Sequence, residues 1–325
     1  MYSVEINNLS RVFKNSSQNS GSDLFWALRG VNLNIGEGII YGVLGPNGAG
    51  KTTLINIMAT LLLPTAGTVK IAGFNVENEF KEIRPIINMV TGGENSGYGI
   101  LTLLENLWMF SQFYGIERKT AVAQIMNLLE IFGIADKAHT QINKLSAGMR
   151  QKMNFIRGFI TNPRILFLDE PTLGLDVVSA RETRKFVSNW VKKSDAARTV
   201  ILTTHYMQEA DELCDEIAVI DKGEIIKSGT PADIKSSQIE GYRYKISVSE
   251  MNIDSKLFGG MSGIKSISLV EEASSGLSEL VFILENECVL SEIIKIISEK
   301  KYRIVNITKY EYTLEEAFVS LTGKK

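Results

Sequence analysis

Short apolar runs that end in polar or glycine residues recur along the chain. Ile39 to Leu44 is followed by glycines and then by a helical pattern at residues 52 to 62. Ile165 to Leu168 and Val200 to Leu202 are each followed by polar side chains. Continuous apolar runs of this length are typical of parallel strands buried on both faces, with chemistry at their carboxyl ends. The pattern therefore predicts an α/β fold.

The segments around these runs carry other patterns. Residues 2 to 42 predict strand, polar loop and strand, and the loop from Asn15 to Asp23 is too polar to be buried. Apolar side chains recur at helical spacing from about Leu101 to Leu145, which predicts packed helices. Ile217 to Ile220 leads into Asp221-Lys222-Gly223-Glu224, which predicts a tight turn between two strands.

The period of the pattern changes near residue 240. Apolar and polar residues alternate from Tyr242 to Ser249, as expected for a half-buried strand. Further strand-like segments lie at 264–270, 279–285 and 303–310, and helical patterns lie at 253–258 and 288–300. This order of elements predicts a small ferredoxin-like α+β unit. Because Leu280 to Leu284 is apolar at every position, we expect that strand to be central and covered on both faces. The second cover could be the larger domain or the same unit of a partner chain.

Length and charge limit the domain organisation and the partners. The 325 residues fit one large and one small domain, which we place at residues 1–235 and 240–325, with a helical subdomain at about 95–160. The formal net charge of -2 gives no general attraction for nucleic acid, so we expect no nucleic-acid partner, although a local basic patch is not excluded.

Cysteine use and hydropathy bear on the compartment. Cys214 and Cys288 lack paired spacing, which favours buried thiols in a reducing compartment. The first residues lack the pattern of a secretory signal, and no stretch reaches the roughly 18 uncharged apolar residues of a membrane-spanning helix. We therefore expect a cytoplasmic chain that reaches a membrane only through another polypeptide.

A glycine-rich segment with a lysine follows the first buried strand. It reads Gly45-Pro46-Asn47-Gly48-Ala49-Gly50-Lys51-Thr52, followed by Thr53, and matches the pattern G-x-x-x-x-G-K-[ST]. Glycines let successive backbone N–H groups curl around a phosphate, and the following helix adds its positive dipole end. Lys51 would supply a charge to the β- and γ-phosphates, and Thr52 a hydroxyl to Mg²⁺. Strand, motif and helix together predict a phosphate-binding loop rather than a turn with a chance lysine.

Two adjacent carboxylates end the apolar run at 165–168. Exposing Asp169 and Glu170 at the end of a buried strand is costly unless the acids meet a cation or perform chemistry. Asp169 is placed to hold Mg²⁺, and Glu170 suits a general base that polarises an attacking water. The alternative is that both acids cap the following helix, and the phosphate loop favours the chemical role.

Four further segments resemble motifs of the ABC ATPase family. Leu145-Ser146-Ala147-Gly148-Met149-Arg150-Gln151-Lys152 resembles its signature motif and begins 24 residues before Asp169. Leu173-Gly174-Leu175-Asp176 resembles the loop that contacts the partner subunit, and Thr203-Thr204-His205 resembles the switch histidine. Phe13 stands where the family places an adenine-stacking aromatic. The resemblance covers residue 1 to about residue 235 and implies a P-loop NTPase fold with the family's helical subdomain.

The resemblance also implies that nucleotide is shared between two chains. Ser146 and the backbone N–H of Gly148 would form a second anion site at a helix start, which in the family faces the γ-phosphate held by the other subunit. It implies a γ-phosphate contact for His205, adenine stacking for Phe13 and a subunit contact for Asp176. A structural histidine and a core aromatic are the open alternatives for His205 and Phe13. ATP and Mg²⁺ are the implied cofactors.

Two departures from the family pattern stand out. Ala147 and Met149 replace the commonest signature residues, whereas the Ser146 and Gly148 positions are kept. The segment after Met89-Val90 lacks the Gln that binds Mg²⁺ in most members; Glu94 or Thr91 could substitute as an oxygen ligand. The Gly-Gly-Glu form with an added C-terminal unit resembles the daunorubicin-resistance branch of exporters.

That branch implies an ATPase subunit paired with a separate integral-membrane permease at the inner face of the cell membrane. We expect dimer closure by ATP and export of drug-like or lipid-like cargo, with coupling through residues 91–114, whose aromatics could instead be core.

A soluble ABC ATPase on ribosomes or DNA is disfavoured by the single phosphate loop and the missing coiled coil, and a GTPase or kinase is disfavoured by the presence of the signature motif. Cargo and the choice between homodimer and heterodimer stay open, with a homodimer favoured. We expect a dimer-stabilising or regulatory role for residues 240–325.

Overall fold

The chain divides into two compact units, Met1–Pro231 and Ala232–Lys325. The computed structural model describes residues 2–14, 24–92, 97–192, 197–236, 241–249, 255–258, 260–272, 277–310 and 312–323. The predicted polar loop from Asn15 to Asp23 and the candidate metal ligand Glu94 lie outside these residues. Within them, no helix is long and apolar enough to cross a membrane.

Two sheets build the first unit. The antiparallel sheet has the order β2-β1-β4-β5 and contains β1 (Tyr2–Lys14), β2 (Leu24–Gly36), β4 (Ala66–Ile71) and β5 (Phe74–Asn75). The larger sheet has the order β10-β9-β3-β8-β7-β6 and contains β3 (Ile40–Leu44), β6 (Ile87–Thr91), β7 (Ile165–Asp169), β8 (Thr199–Thr204), β9 (Glu216–Asp221) and β10 (Glu224–Gly229). Its pairs are parallel except β9 with β10, so the predicted α/β fold is confirmed.

Helices connect these strands. They are α1 (Lys51–Met58), α2 (Phe80–Ile83), α3 (Leu103–Gln112), α4 (Arg118–Ile131), α5 (Ala147–Phe159), α6 (Val177–Lys192), α7 (Met207–Leu213) and α8 (Pro231–Ser236), with short 3-10 turns at Arg84–Ile86, Ala135–Lys137 and Ile142–Lys144. α3 begins with a reciprocal capping box between Thr102 and Glu105, which satisfies two otherwise unpaired N–H groups. The predicted helical stretch from Leu101 to Leu145 thus consists of two helices and short turns.

The larger sheet lies in the core of the first unit. Every residue of β3 and β8 is buried, as continuous apolar runs predict for central parallel strands. Tyr41, Phe167 and Ile201 belong to the hydrophobic cluster that joins this sheet to α1 and to the antiparallel sheet. Because the strands are held on both faces, the polar residues at their carboxyl ends are fixed along one edge.

The second unit contains a four-stranded antiparallel sheet of order β12-β13-β11-β14. Its elements are β11 (Tyr242–Val248), a 3-10 turn (Ser255–Phe258), β12 (Ile264–Glu272), β13 (Leu277–Leu284), α9 (Cys288–Glu299), β14 (Ile304–Lys309) and α10 (Leu314–Thr322). This is a ferredoxin-like strand order, with the 3-10 turn where the first helix was predicted.

The central strand of this second sheet has two different faces. Leu280, Phe282 and Leu284 of β13 are buried in the hydrophobic cluster that includes α9. The alternating Val281 and Ile283 are only half-buried, so this unit by itself covers one face of the strand fully. A second cover from the larger domain or from a partner chain stays a prediction. Successive side chains of a strand lie on opposite faces of the sheet. A run that is apolar at every position does not show which face is the more deeply buried.

Candidate functional site

The phosphate-loop segment packs closely against the backbone of β9 and β2. Gly48 and Gly50 have φ of 81° and 108°, a left-handed region that favours glycine. A Cβ on Gly45 would lie 2.4 Å from the carbonyl oxygen of Ile220, and one on Gly50 would lie 2.5 Å from that of Ala27. The backbone can therefore follow this path only with glycine at these positions.

Lys51 is the charged group inside this loop. Its side chain is buried, and its Nζ donates to the carbonyl oxygens of Gly45 at 2.7 Å and Pro46 at 3.2 Å. Burial lowers the pKa of Lys51, while the carboxylates of Glu170 and Asp169 oppose that shift. A phosphate oxygen offers this ammonium a charged acceptor, which binds more strongly than a neutral carbonyl.

The carboxylate of Asp169 contacts polar side chains from helix α1 and from strand β8. Thr52 Oγ1 at the start of α1 donates to Asp169 Oδ1 at 3.5 Å, and Thr203 Oγ1 donates to the same oxygen. Thr203 pairs with Asp169 in register across β7 and β8. Sequence reasoning gave Thr203 no role, because only strand pairing brings it here. A threonine hydroxyl beside a carboxylate is the kind of hard oxygen pair that suits Mg²⁺.

The donor set fits a metal that shares its coordination with phosphate. Within the described ranges, no group of three or more His, Cys, Asp or Glu side chains could hold a metal ion alone. Mg²⁺ commonly uses one or two carboxylates together with substrate phosphates, so Thr52 and Asp169 beside the phosphate loop are sufficient on the protein side.

Glu170 is held in an uncommon backbone conformation. Its φ is 51°, in the left-handed region, which for a non-glycine residue costs roughly 1–3 kcal/mol. Its N–H donates to both the carbonyl oxygen and Oγ1 of Thr203, each at 3.1 Å. This geometry turns the carboxylate toward His205 Nδ1, which lies 3.2 Å from Glu170 Oε1, and toward Lys51 Nζ at 4.0 Å. The carboxylate of Glu170 thus lies between His205 and Lys51 of the phosphate loop.

The helix that follows the acid pair is capped by a different residue. Asp176 Oδ1 accepts from the N–H groups of Val178 and Ser179 at 3.0 Å each, and Oδ2 accepts from the Ser179 hydroxyl at 2.7 Å. Hydrogen bonds from Ser179 lower the pKa of Asp176. The capping alternative for Asp169 and Glu170 is therefore wrong, and a subunit contact by Asp176 stays a prediction.

The signature segment forms the N-terminus of a second long helix. Ser146 precedes α5, and its hydroxyl accepts from the Met149 N–H at 3.2 Å. Ser146 and Gly148 are exposed, and a Cβ on Gly148 would meet nothing within 4 Å. Gln151, one turn later, donates to the carbonyl oxygen of Leu173 and so ties α5 to the loop after the acid pair. The helix start is open for an anion from outside.

The aromatic predicted to stack on adenine lies on β1. Phe13 pairs in register with Phe25 of β2, and the Arg11 guanidinium lies 4.7 Å from the Phe13 ring centroid. Phe25 and its neighbour Trp26 are 56% and 42% exposed. These two aromatics were not singled out from the sequence, because the polar loop that separates the strands hides their pairing with Phe13 and Val12.

The end of β6 reaches the acid pair from the other side. Thr91 pairs in register with Asp169, and the N–H of Gly92 donates to the Asp169 carbonyl oxygen at 2.7 Å. Thr91 thus lies next to the candidate metal site, whereas Glu94 falls outside the described residues. Gly92 was not among the predicted site residues.

A buried acid lies on α7, the helix that follows His205. Glu209 of α7 is 2% exposed, and neither of its carboxyl oxygens has a hydrogen-bond partner in the described part of the chain. Burial raises the pKa of Glu209; the nearby hydroxyls of Thr204 and Thr172 and the charges of Arg184 and His205 oppose that rise. The sequence did not predict that Glu209 is buried, because an acidic residue in the first turn of a helix is usually exposed.

Replacing Glu209 by Gln should reduce the loss of thermal stability that accompanies a rise in pH from about 4 to about 8. A raised pKa in the folded state gives stability that is present below the unfolded value of 4.5 and is lost as pH rises through the folded value. Gln does not titrate, so the midpoint difference, Gln variant minus wild type, should increase from about pH 4 to about pH 8. Glu130→Gln, at an exposed position on α4, is the control. A difference that stays constant or decreases with pH would contradict this account.

Comparison with known proteins places these motifs in one family. Residues 28–173 match the family described as ABC transporter. The daunorubicin/doxorubicin resistance ATP-binding protein DrrA of Streptomyces peucetius is 42% identical over 211 residues, which are 65% of this chain and 63% of that protein. DrrA3 of Streptomyces coeruleorubidus, a daunorubicin resistance ATP-binding protein, is 33% identical over 298 residues, 91% of each chain.

A solved structure shares its fold with most of this chain. The dimeric post-hydrolysis state of the ATP-binding cassette MJ0796, bound to ADP and Pi, matches with a TM-score of 0.60 and 27% identity. The match covers 70% of this chain and 98% of that chain.

Proposed function

Because this chain belongs to the ATP-hydrolysing subunits of the ABC transporter family, in its drug-exporter branch, we propose that it drives a separate membrane permease by ATP-dependent dimer closure. The names of the two Streptomyces relatives support an exported cargo of drug-like kind, and a lipid-like cargo stays the alternative. The chain would act in the cytoplasm, attached to the inner face of the membrane through the permease.

The observation that carries the proposal is the division of polar groups into two sets. Lys51 makes its contacts with Gly45, Pro46 and Glu170, whereas the Ser146 hydroxyl bonds within α5 and is open to solvent. A γ-phosphate held by the first set would leave its outer side uncovered. The exposed start of α5 from a second copy offers the anion site that completes the enclosure.

Each group then has a defined part in hydrolysis. The backbone from Gly45 to Thr53 wraps the phosphates, Lys51 binds the β- and γ-phosphates, and Phe13 stacks on adenine. Thr52 and Asp169 would hold Mg²⁺, which would supply neutralising charge for the phosphates. Glu170 accepts a proton from the attacking water, and His205 orients that carboxylate and the γ-phosphate. Ser146 and Gly148 of the second copy bind the same phosphate, and Asp176 lies in the loop between copies.

Coupling to the permease is supported by a groove on the first unit. A cavity of about 790 Å³ is lined by β6, by the C-terminal part of α3 and by the residues that follow it. Phe113 and Tyr114 line it and are 73% and 44% exposed, while Phe110 and Arg157 stack at 4.8 Å in its wall. Exposed aromatics around a cavity are typical of a surface that receives a partner. Trp108, the fourth aromatic of this region, is half-buried.

Replacing Phe113 by Asp should separate hydrolysis from membrane attachment. The side chain is mostly exposed, so the basal ATPase activity of the isolated chain should stay near that of wild type. A buried carboxylate in an apolar contact is costly, so the fraction of chain that sediments with membranes containing the native permease should fall about tenfold. Ile131→Asp, at an exposed site on α4 outside the groove, is the control. Equal sedimentation of both variants and wild type would remove the groove from the proposal.

The second unit has no part in hydrolysis in this proposal. Its described open sheet face carries an ion pair between Lys245 and Glu279 at 2.6 Å, and Arg243 binds Glu316 of α10 at 3.0 Å. We propose a dimer-stabilising or regulatory role for this unit, since the sheet face with Lys245, Glu279 and Val281 is only half-buried and leaves a surface for contact.

A further inference from the structure

Gly92 makes a close backbone contact with Glu170. Its N–H donates to the carbonyl oxygen of Asp169 at 2.7 Å, directly before the glutamate. A Cβ at position 92 would lie 2.2 Å from the carbonyl oxygen of Glu170 and 3.1 Å from its carbonyl carbon. Both neighbours are backbone atoms, which cannot rotate away as the end of a flexible side chain could.

Glu170 has few ways to yield to such a contact. Its N–H is held by Thr203, and its carbonyl oxygen accepts from the Leu173 N–H at 3.1 Å. Its positive φ already places it in a sparsely populated backbone region. A displacement of the Glu170 carbonyl group therefore changes the direction of the Glu170 side chain, because the neighbouring backbone cannot adjust to absorb it.

We propose that Gly92 is a positioning residue for Glu170: the missing side chain lets the end of β6 lie against the Glu170 peptide and fixes the direction of its carboxylate. The inference rests on the general-base role proposed for Glu170. It gives a physical reason for a glycine in the segment after Val90, where this chain lacks the Gln of most family members.

Replacing Gly92 by Ala tests the inference. The nearest atom must move by about 0.8 Å, the difference between 3.0 Å and 2.2 Å, to reach an allowed contact. Misplacement of about 1 Å can reduce turnover about 100-fold, so kcat should fall between tenfold and 100-fold. The Kd for Mg-ATP, measured with a fluorescent ATP analogue, should change less than about threefold, because the phosphate loop is untouched.

Gly99→Ala is the matched control in the same connection. Its Cβ would meet only Asn143 at 3.6 Å, an ordinary contact, so kcat should stay within about twofold of wild type. A kcat for Gly92→Ala within that same range would overturn the inference. Parallel losses of kcat, nucleotide binding and thermal midpoint would also overturn it, since they would show a general folding role.

A double variant separates this inference from the proposed function. If Gly92 acts through Glu170, adding Gly92→Ala to Glu170→Gln should leave the residual turnover unchanged, whereas multiplied losses would contradict the inference. If Glu170→Gln itself retains turnover, the general-base role fails. If Glu170→Gln is inactive while Gly92→Ala turns over normally, only the role of Gly92 fails.

Discussion

Replacing Glu170 by Gln should reduce ATP turnover about 100- to 10,000-fold while the chain still binds Mg-ATP. The amide has nearly the same shape as the carboxylate but cannot accept a proton from the attacking water. The side-chain oxygen of the amide can still accept a hydrogen bond from His205, whose Nδ1 lies 3.2 Å from Glu170 Oε1 in the wild-type chain. The lesion therefore affects the chemical step and leaves the phosphate loop in place.

The same variant should accumulate as a nucleotide-bound dimer. Hydrolysis is the step that would reopen the two copies, so a chain that binds but does not hydrolyse ATP should elute as a dimer on a sizing column with saturating Mg-ATP. Phosphate release measures the turnover. Glu130→Gln, at an exposed position on α4, is the control and should behave as wild type. A Glu170→Gln chain that stays monomeric with saturating Mg-ATP would count against dimer closure.

Two single variants that are each inactive should restore activity when mixed. Lys51→Met removes the buried ammonium beside Gly45 and Pro46 at similar side-chain length. Ser146→Asp keeps a good N-cap for α5 and sets a negative charge against an incoming phosphate. Each change should lower turnover at least about 100-fold, since each removes a group that stabilises phosphate charge.

The mixture tests whether the two sets of groups belong to different copies. In a mixed dimer, the Ser146→Asp chain supplies an intact Lys51 and the Lys51→Met chain supplies an intact Ser146, so one site is complete. Half of the dimers in an equimolar mixture are mixed and each has one intact site of two, which gives about a quarter of wild-type turnover. Ser146→Thr, which retains the hydroxyl, is the control for position 146. Turnover of the mixture no higher than that of either variant, with mixed dimers demonstrated by cross-linking, would rule out a shared site.

Local sequence order was sufficient for much of this protein. The strand at Ile40–Leu44, the glycine loop and the helix at Lys51 are neighbours in the chain, so their pattern alone predicts a phosphate loop. The parallel sheet followed from the continuous apolar runs at β7 and β8. The acid pair at Asp169 and Glu170 could be predicted because the run of apolar residues ends there and two charged residues follow directly.

Other features depend on residues far apart in the chain. Uniform apolar character hid the two different faces of β13, and the capping of α6 passed to Asp176 rather than the acid pair. The burial of Glu209 depends on how α7 packs. The spacing of apolar residues within one segment does not show which distant segment packs against it. Burial and capping that depend on such packing therefore cannot be predicted from the pattern alone.

Sequence alone determined which chemical groups this protein has and the order in which strands present them, because glycine freedom, charge and apolar periodicity act locally. Only the tertiary structure decided how those groups meet. Strand register brings Thr203 to Asp169 and the N–H of Glu170, and close backbone packing brings Gly92 to the Glu170 carbonyl. The reason is physical: hydrogen bonding between strands and the exclusion of a Cβ act across 33 to 78 residue positions, the separations from Glu170 to Thr203 and to Gly92.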